Sequence, residues 1–314
     1  MSSLSKSPNR VARMALTTGN RVLPPYAHRF SPKKYTQPQL FACLVLKTFF
    51  KTDYRGLTDL LNDHSDLRTL LGLRFAPHFT TLQKASRRLL RTPLARRLFA
   101  TTVRRFLPRR RRVRRAAFDS TGLDYGRRSF YYVRRRHAGA KRFQTVTYSR
   151  YAKLEASVDC ASHLLLAVLV GRGPRVDVDR FVPLLQATMQ QIRPEAVLAD
   201  AGYDSESNHR EARDERGVRS FIPATAGRPT AKLPSGRYRR RMKQRLNKSY
   251  GSYGQRWQVE TVFSMFKQRL GSTVNGRSYW SQCRELWLLA ISYNIMLLHV
   301  IIAFLQGRSG LVVR

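Results

Sequence analysis

The sequence predicts an α/β chain, with helices alone up to about residue 105 and strands alternating with helices beyond it. Three observations carry that expectation. Apolar residues recur at helical spacing from Gln37 to about Leu90. Short apolar runs bounded by turn residues follow from about Ala116, separated by helical segments. Near the end, YGQRWQVETVFSMFK (253–267) reads as one amphipathic helix.

The first 34 residues are polar and basic, lack the uninterrupted apolar core of a secretory signal, and are expected to form a mobile arm. Residues 35–105 follow as a helical region: QLFACLVLKTFF, YRGLTDLLND, LRTLLGL and TTLQKASRRLL, with Thr80 or Thr81 as N-cap of the last. Short helices ending in a basic one fit either a helix-turn-helix unit or a plain bundle packed on the next domain. RRFLPRRRRVRR, Arg104 to Arg115, marks the boundary, with Pro108 stopping the preceding helix.

Residues 106–314 make up the second unit. AAFDSTGLD reads as an apolar strand leading into Asp119 and then a Ser-Thr-Gly turn. Asp119 is placed to hold a metal ion or to hydrogen-bond its own turn, and Asp124 has only the second role to recommend it. LEASVDC and HLLLAVLV form an antiparallel hairpin, and Phe181 to Ile192 a helix. AVLAD then delivers Asp200 at a strand's C-terminal end, AGYDSESN turns into another helix, and VRSFIPA is a further strand. That order places Asp119 and Asp200 on strands able to lie side by side. A basic insertion at 223–252 reads equally as a loop tracking DNA backbone or as a disordered surface segment.

Within the helix at 253–267, Tyr253, Arg256, Glu260 and Lys267 fall within roughly 60° of one another at about 100° per residue. Val259, Val262, Phe263, Phe266 and Leu270 fill a neighbouring arc, so Glu260 is expected beside the core, where a carboxylate needs a cation or donors. Three carboxylates converging on one point would hold two divalent cations for phosphoryl transfer. Arg256 and Lys267 would position a phosphate, and Tyr253 would stack on a base or bond the backbone. An ordinary surface helix with Arg256 and Glu260 as an ion pair is the alternative, although Arg four residues before Glu is the less favoured order. The uncharged run Leu286 to Leu305 is interrupted by Ser292, Tyr293, Asn294 and His299, which favours a buried helix over a membrane anchor.

Composition points to an anionic partner. The chain carries 59 Lys and Arg against 19 Asp and Glu, a formal charge of +40, and its hydrophobic fraction of 42% supplies a core. Nucleic acid fits that charge better than a membrane surface. Three scattered cysteines argue against a disulfide framework and a zinc site and fit a reducing, cytoplasmic setting. No Gly-rich phosphate loop precedes a helix, which argues against an ATP-driven enzyme.

AFDSTGLD, VLADAGYDS and the Tyr, Arg, Glu, Lys spacing of YGQRWQVETVFSMFK resemble the catalytic signatures of insertion-sequence transposases of the DDE superfamily, in the branches named for insertion sequences four and five. YRGLTDLLNDHSDLRTLLGL with FTTLQK is similar to their N-terminal helical region. The resemblance implies a ribonuclease-H-like catalytic domain, a mixed sheet flanked by helices. It also implies two magnesium or manganese ions held by catalytic Asp119, Asp200 and Glu260, and contact of Tyr253, Arg256 and Lys267 with the cleaved DNA end. The implied substrates are terminal inverted-repeat DNA and target DNA, handled by a homodimer or larger synaptic complex in the cytoplasm, associated with the nucleoid. About 60 residues separate Asp200 from Glu260, too few for the large β-rich insertion of some members of the first branch, so the second is favoured. A DNA-binding derivative without catalysis and a structural polycation are the rival functions.

Overall fold

A computed structural model describes residues 4–106, 113–126, 151–224, 233–246, 251 and 253–309. Pro108 with the arginines around it, and much of the insertion (225–232, 247–250 and 252), lie outside the described residues.

Six helices open the chain: α1 Pro8–Asn20, α2 Gln37–Phe49, α3 Tyr54–Asp63, α4 Ser65–Leu70, α5 Phe79–Leu89 and α6 Thr92–Phe106. The stretch expected as a mobile arm therefore contains a packed helix of 13 residues. Ser7 caps α1 through the Arg10 amide, Pro8 supplies a preset first turn, and Val11, Ala12 and Ala15 are buried. Its buried face is weakly apolar, made largely of Ala12, Ala15, Thr18 and Gly19, while Arg10 and Arg13 stand on the exposed side. A capping box between Thr36 and Gln39 starts α2. His78, not Thr80 or Thr81, caps α5, its ring nitrogen accepting from the Thr80 amide. His78 has φ −59° and ψ 146°, outside the helical region, so the helix starts at Phe79 and the cap falls earlier than the hydroxyls suggest. These helices pack as a bundle.

The sheet order is β3-β2-β1-β4-β5, with β1 Val113–Tyr125, β2 Tyr151–Asp159, β3 Leu165–Gly173, β4 Pro194–Ala199 and β5 Arg219–Phe221. Strands β1, β2 and β3 pair antiparallel, whereas β1, β4 and β5 pair parallel. Helix α7 (Phe181–Met189) precedes β4, and α8 (Glu206–Arg210) with a π-helical turn (Glu211–Glu215) precedes β5. This is the mixed, helix-flanked sheet of a ribonuclease-H-like domain.

No turn breaks β1 after Asp119. The antiparallel ladder with β2 continues from Ala116 to Leu123 and satisfies the backbone of Ser120, Thr121 and Gly122. Pairing overrides the turn chemistry of those three residues. Gly122 is required there, because a Cβ would lie 2.9 Å from the Tyr151 ring.

Helix α9 (Arg237–Leu246) occupies part of the insertion, so that segment is neither all loop nor a free surface run. A 3₁₀ turn, Tyr253–Arg256, precedes α10 (Trp257–Leu270), then β6 (Thr273–Val274) pairs with the end of β1, and α11 (Tyr279–Ser309) closes the chain. Within α11, residues Leu286 to Leu298 are buried; Tyr293 and Asn294 find partners inside, whereas the Ser292 hydroxyl and the Trp287 indole nitrogen have none among the described residues. Asn294 bonds the Leu165 amide and carbonyl at 3.1 and 2.9 Å, and Tyr293 donates to the His163 carbonyl. Among the described residues no helix is long and apolar enough to cross a membrane. Cys43, Cys160 and Cys283 are buried and unpaired, and burial pushes the thiols of Cys43 and Cys160 up to about 12.

Candidate active site

Phe118 on β1 stands opposite Ala199 on β4 in the parallel ladder, and that pair is the last. Asp119 and Asp200 are the next residues on each strand. They sit at the C-terminal end of the shared ladder, just past its last pair. Asp119 stays paired with β2 opposite Ala156, and its carboxylate accepts from the Ser120 amide at 2.7 Å. Asp200 caps the 3₁₀ turn Ala201–Tyr203, accepting from the Gly202 amide at 3.0 Å.

The two carboxylates feel each other. Burial, reinforced by the nearby charges of Asp200 and Glu260, pushes Asp119 up to about 6, against the opposing pull of the Ser120 amide and Arg256. Asp200 is also raised, by burial first and then by Asp177, while the Gly202 amide and Arg256 pull it back.

Arg256 is the hub. Its guanidinium lies 3.5 Å from the Asp119 carboxylate and also bonds Glu260 one turn further on. The turn that carries it packs against β1 and β4. The single α-helix expected from Tyr253 to Lys267 is thus a 3₁₀ turn followed by α10, a break consistent with the helix-weakening Gly254. In a 3₁₀ turn residues three apart eclipse, so Tyr253 and Arg256 still share a direction, and Tyr253 lies within electrostatic reach of Arg256.

Glu260 sits in the first turn of α10, its side chain 57% exposed, rather than beside the core. The apolar stripe is as the spacing predicts: Val259, Val262, Phe263, Phe266 and Leu270 are all buried. Lys267 lies half-buried two turns beyond Glu260, and among the described residues no ion pair joins it to the acids. Asp124 is exposed at the far end of β1, its amide bonded to Ser272.

Charges beneath the site escaped the sequence reading. On β2, Lys153 pairs with Asp177 at 2.6 Å and Glu155 with Arg180 at 2.9 Å, both strand residues buried. The Tyr203 hydroxyl is buried among Asp177, Asp119, Glu155 and Asp200, and burial first, then those charges, push it far up. The available sign was charge inside an otherwise apolar strand, KLEASVD, since buried charges must be paired.

Among the described residues no three His, Cys, Asp or Glu side chains meet closely enough to chelate an ion. Arg256 lies between Asp119 and Glu260 instead, a cation already drawn to the acids. Oxygen-only donors, with burial and mutual repulsion opposing their charge, suit a hard divalent cation such as magnesium or manganese.

A protein-family profile described as Transposase DDE domain matches residues 110–295. The chain belongs to the DDE transposase family. That span takes in all five strands of the main sheet, both aspartates, and the whole of α10 with Glu260. No curated protein matches the transposase chain.

Proposed function

We propose that this transposase binds the terminal inverted repeats of an insertion sequence, cleaves the DNA ends by metal-dependent hydrolysis and joins the 3′ ends to target DNA. The observation that carries the reading is the placement of Asp119 and Asp200 at the end of one parallel ladder, with Arg256 linking Glu260 to Asp119. In this reading Asp119, Asp200 and Glu260 are the catalytic ligands of two magnesium or manganese ions. Bound there, the ions would make water a nucleophile near neutral pH and offset charge on the oxygen that leaves.

The chain's own residues do the positioning. Arg256 exchanges its carboxylate partners for a phosphate of the DNA end, Lys267 meets the same backbone, and Tyr253 stacks on or bonds the end. Hydrolysis adds the water oxygen to phosphorus and frees a 3′ hydroxyl. That hydroxyl then attacks a target phosphate, whose own 3′ oxygen leaves. The joining step conserves the number of phosphodiester bonds, so no nucleotide cofactor is consumed.

The assignment of branch follows the insertion-sequence-five group, because the chain between Asp200 and Glu260 is short. Holding two ends at once requires a homodimer or larger synaptic complex, working on double-stranded DNA in the cytoplasm. In domain terms residues 35–105 serve as the helical DNA-binding region and 106–314 as the catalytic domain.

Manganese titrated calorimetrically into the protein, with duplex DNA spanning an end of its own element, tests the reading. About two ions should bind the wild type, and Asp119→Ala should lose or halve that binding. Equal, weak binding by both proteins would mean that the acids do not act together, and would leave a basic DNA-binding protein without catalysis.

A further inference from the structure

Helix α9 carries the sequence RYRRRMKQRL, a concentration of like charge that opposes helix formation through its own repulsion. It nonetheless forms an ordered, amphipathic element. Tyr238 and Met242, four residues apart, are buried, while Arg237, Arg240, Arg241 and Gln244 are exposed at the spacing of one helical face. That face runs about 10 Å along the axis at 1.5 Å per residue.

Three acids hold the helix down. The Glu206 carboxylate accepts from the Tyr238 amide at 3.1 Å and the Arg239 amide at 3.1 Å, capping the helix from another element. Only glycine fits just before it: Gly236 has φ +98°, and a Cβ there would lie 2.3 Å from that carboxylate. Arg239 forks onto Asp204, whose side chain is fully buried, with contacts of 2.7 to 3.1 Å. Tyr238 donates to Asp214.

In a chain with 19 acids against 59 cations, three on one short helix fix its placement. Asp204 lies four residues beyond Asp200, on the turn that leaves the same strand. The anchoring therefore presents a row of guanidinium groups at a set position relative to the candidate active site.

We propose that the exposed face of α9 grips the phosphate backbone of duplex DNA beside the carboxylate site, setting the register of the strand without reading its sequence. Duplex DNA presents about one charge per 1.7 Å of its axis, so a row of this length meets several phosphates. Contacts of this kind position rather than specify. Phosphate also neutralises the repulsion that the three acids only partly relieve. The proposal rests on the reading of this chain as one that acts on DNA.

The experiment compares Arg237→Gln/Arg240→Gln/Arg241→Gln with a charge-matched control, Arg10→Gln/Arg13→Gln/Arg21→Gln, whose side chains are exposed on and just after α1. Fluorescence anisotropy on a random-sequence duplex gives the slope of log affinity against log salt for each. The α9 variant should flatten the slope by about 2 to 3, near 0.9 per lost phosphate contact, and the control by less than about 1. Circular dichroism checks that both variants keep the wild-type helix content. An unchanged slope, or an equal loss in the control, overturns the proposal. Manganese binding is read separately: if it persists while the slope is unchanged, only the role of α9 falls. If it is absent while the slope flattens, α9 stands and the catalytic reading falls.

Discussion

His209 on α8 shows how a single buried group ties this fold to pH. Its ring is fully buried, with Nδ1 2.7 Å from the Ser220 hydroxyl and Nε2 without a hydrogen-bond partner. Burial first, and then Arg213, lower it from 6.5 to about 4. The folded protein thus refuses a proton that the unfolded chain accepts below about pH 6.5. Between those values the unfolded state binds more protons, so stability falls as the pH drops from about 6.5 towards about 4 and levels off below. Replacing the group removes that contribution. Urea titrations at pH 7 and pH 5 should show the wild type losing about 2 kcal/mol more than His209→Gln between the two conditions. Equal losses in both proteins would show that the ring does not resist protonation.

Helix α10 separates two demands that one sequence segment must meet. Its buried stripe seats the helix, with Phe266 against the Tyr293 ring at 5.9 Å between centroids, while Glu260 stands on the exposed side. Phe266→Ala should therefore cost about 3 to 5 kcal/mol in urea unfolding, and Glu260→Gln less than about 1 kcal/mol, since its ion pair with Arg256 is half-solvated. A Phe266→Ala protein as stable as the wild type would mean that the stripe does not hold the helix. This element was legible in the sequence because its apolar residues repeat at 3.6 and nothing competes with that period. The same holds for the hairpin of β2 and β3 and for the approach of Asp119 to Asp200, which element order alone implied. Strand β1 runs further than its sequence suggests because Ser120, Thr121 and Gly122 are turn formers whose pairing with β2 is a tertiary fact. Helices α1 and α9 were hidden for a different reason. Their buried faces hold few large apolar residues, and the acids that hold α9 lie some 30 residues earlier in the chain, at Glu206 and Asp204.

At the scale of the molecule, one apolar cluster runs from Leu4 through the bundle and the sheet to Leu298, and α11 is its axis. Helix α11 packs on α6, α2 and α1 on one side and on β3 and β2 on the other. Asn294 is the polar joint at that junction. Its amide group bonds both backbone groups of Leu165 on β3 and also the Thr102 hydroxyl on α6, at 3.1 Å, with no exposed surface of its own. A satisfied network of this kind fixes register as well as adding stability, because any slip of α11 takes Asn294 away from both backbone groups of Leu165. The helical region and the sheet are therefore expected to unfold together. Differential scanning calorimetry should show one transition in the wild type. Asn294→Leu, which keeps the volume and removes the bonds, should lower unfolding free energy by about 3 kcal/mol or more, the cost of stranding several buried polar groups. Two resolved transitions in the wild type would show that the bundle and the sheet are independent units joined by α11. An Asn294→Leu protein of unchanged stability would show that the apolar contacts alone set the junction.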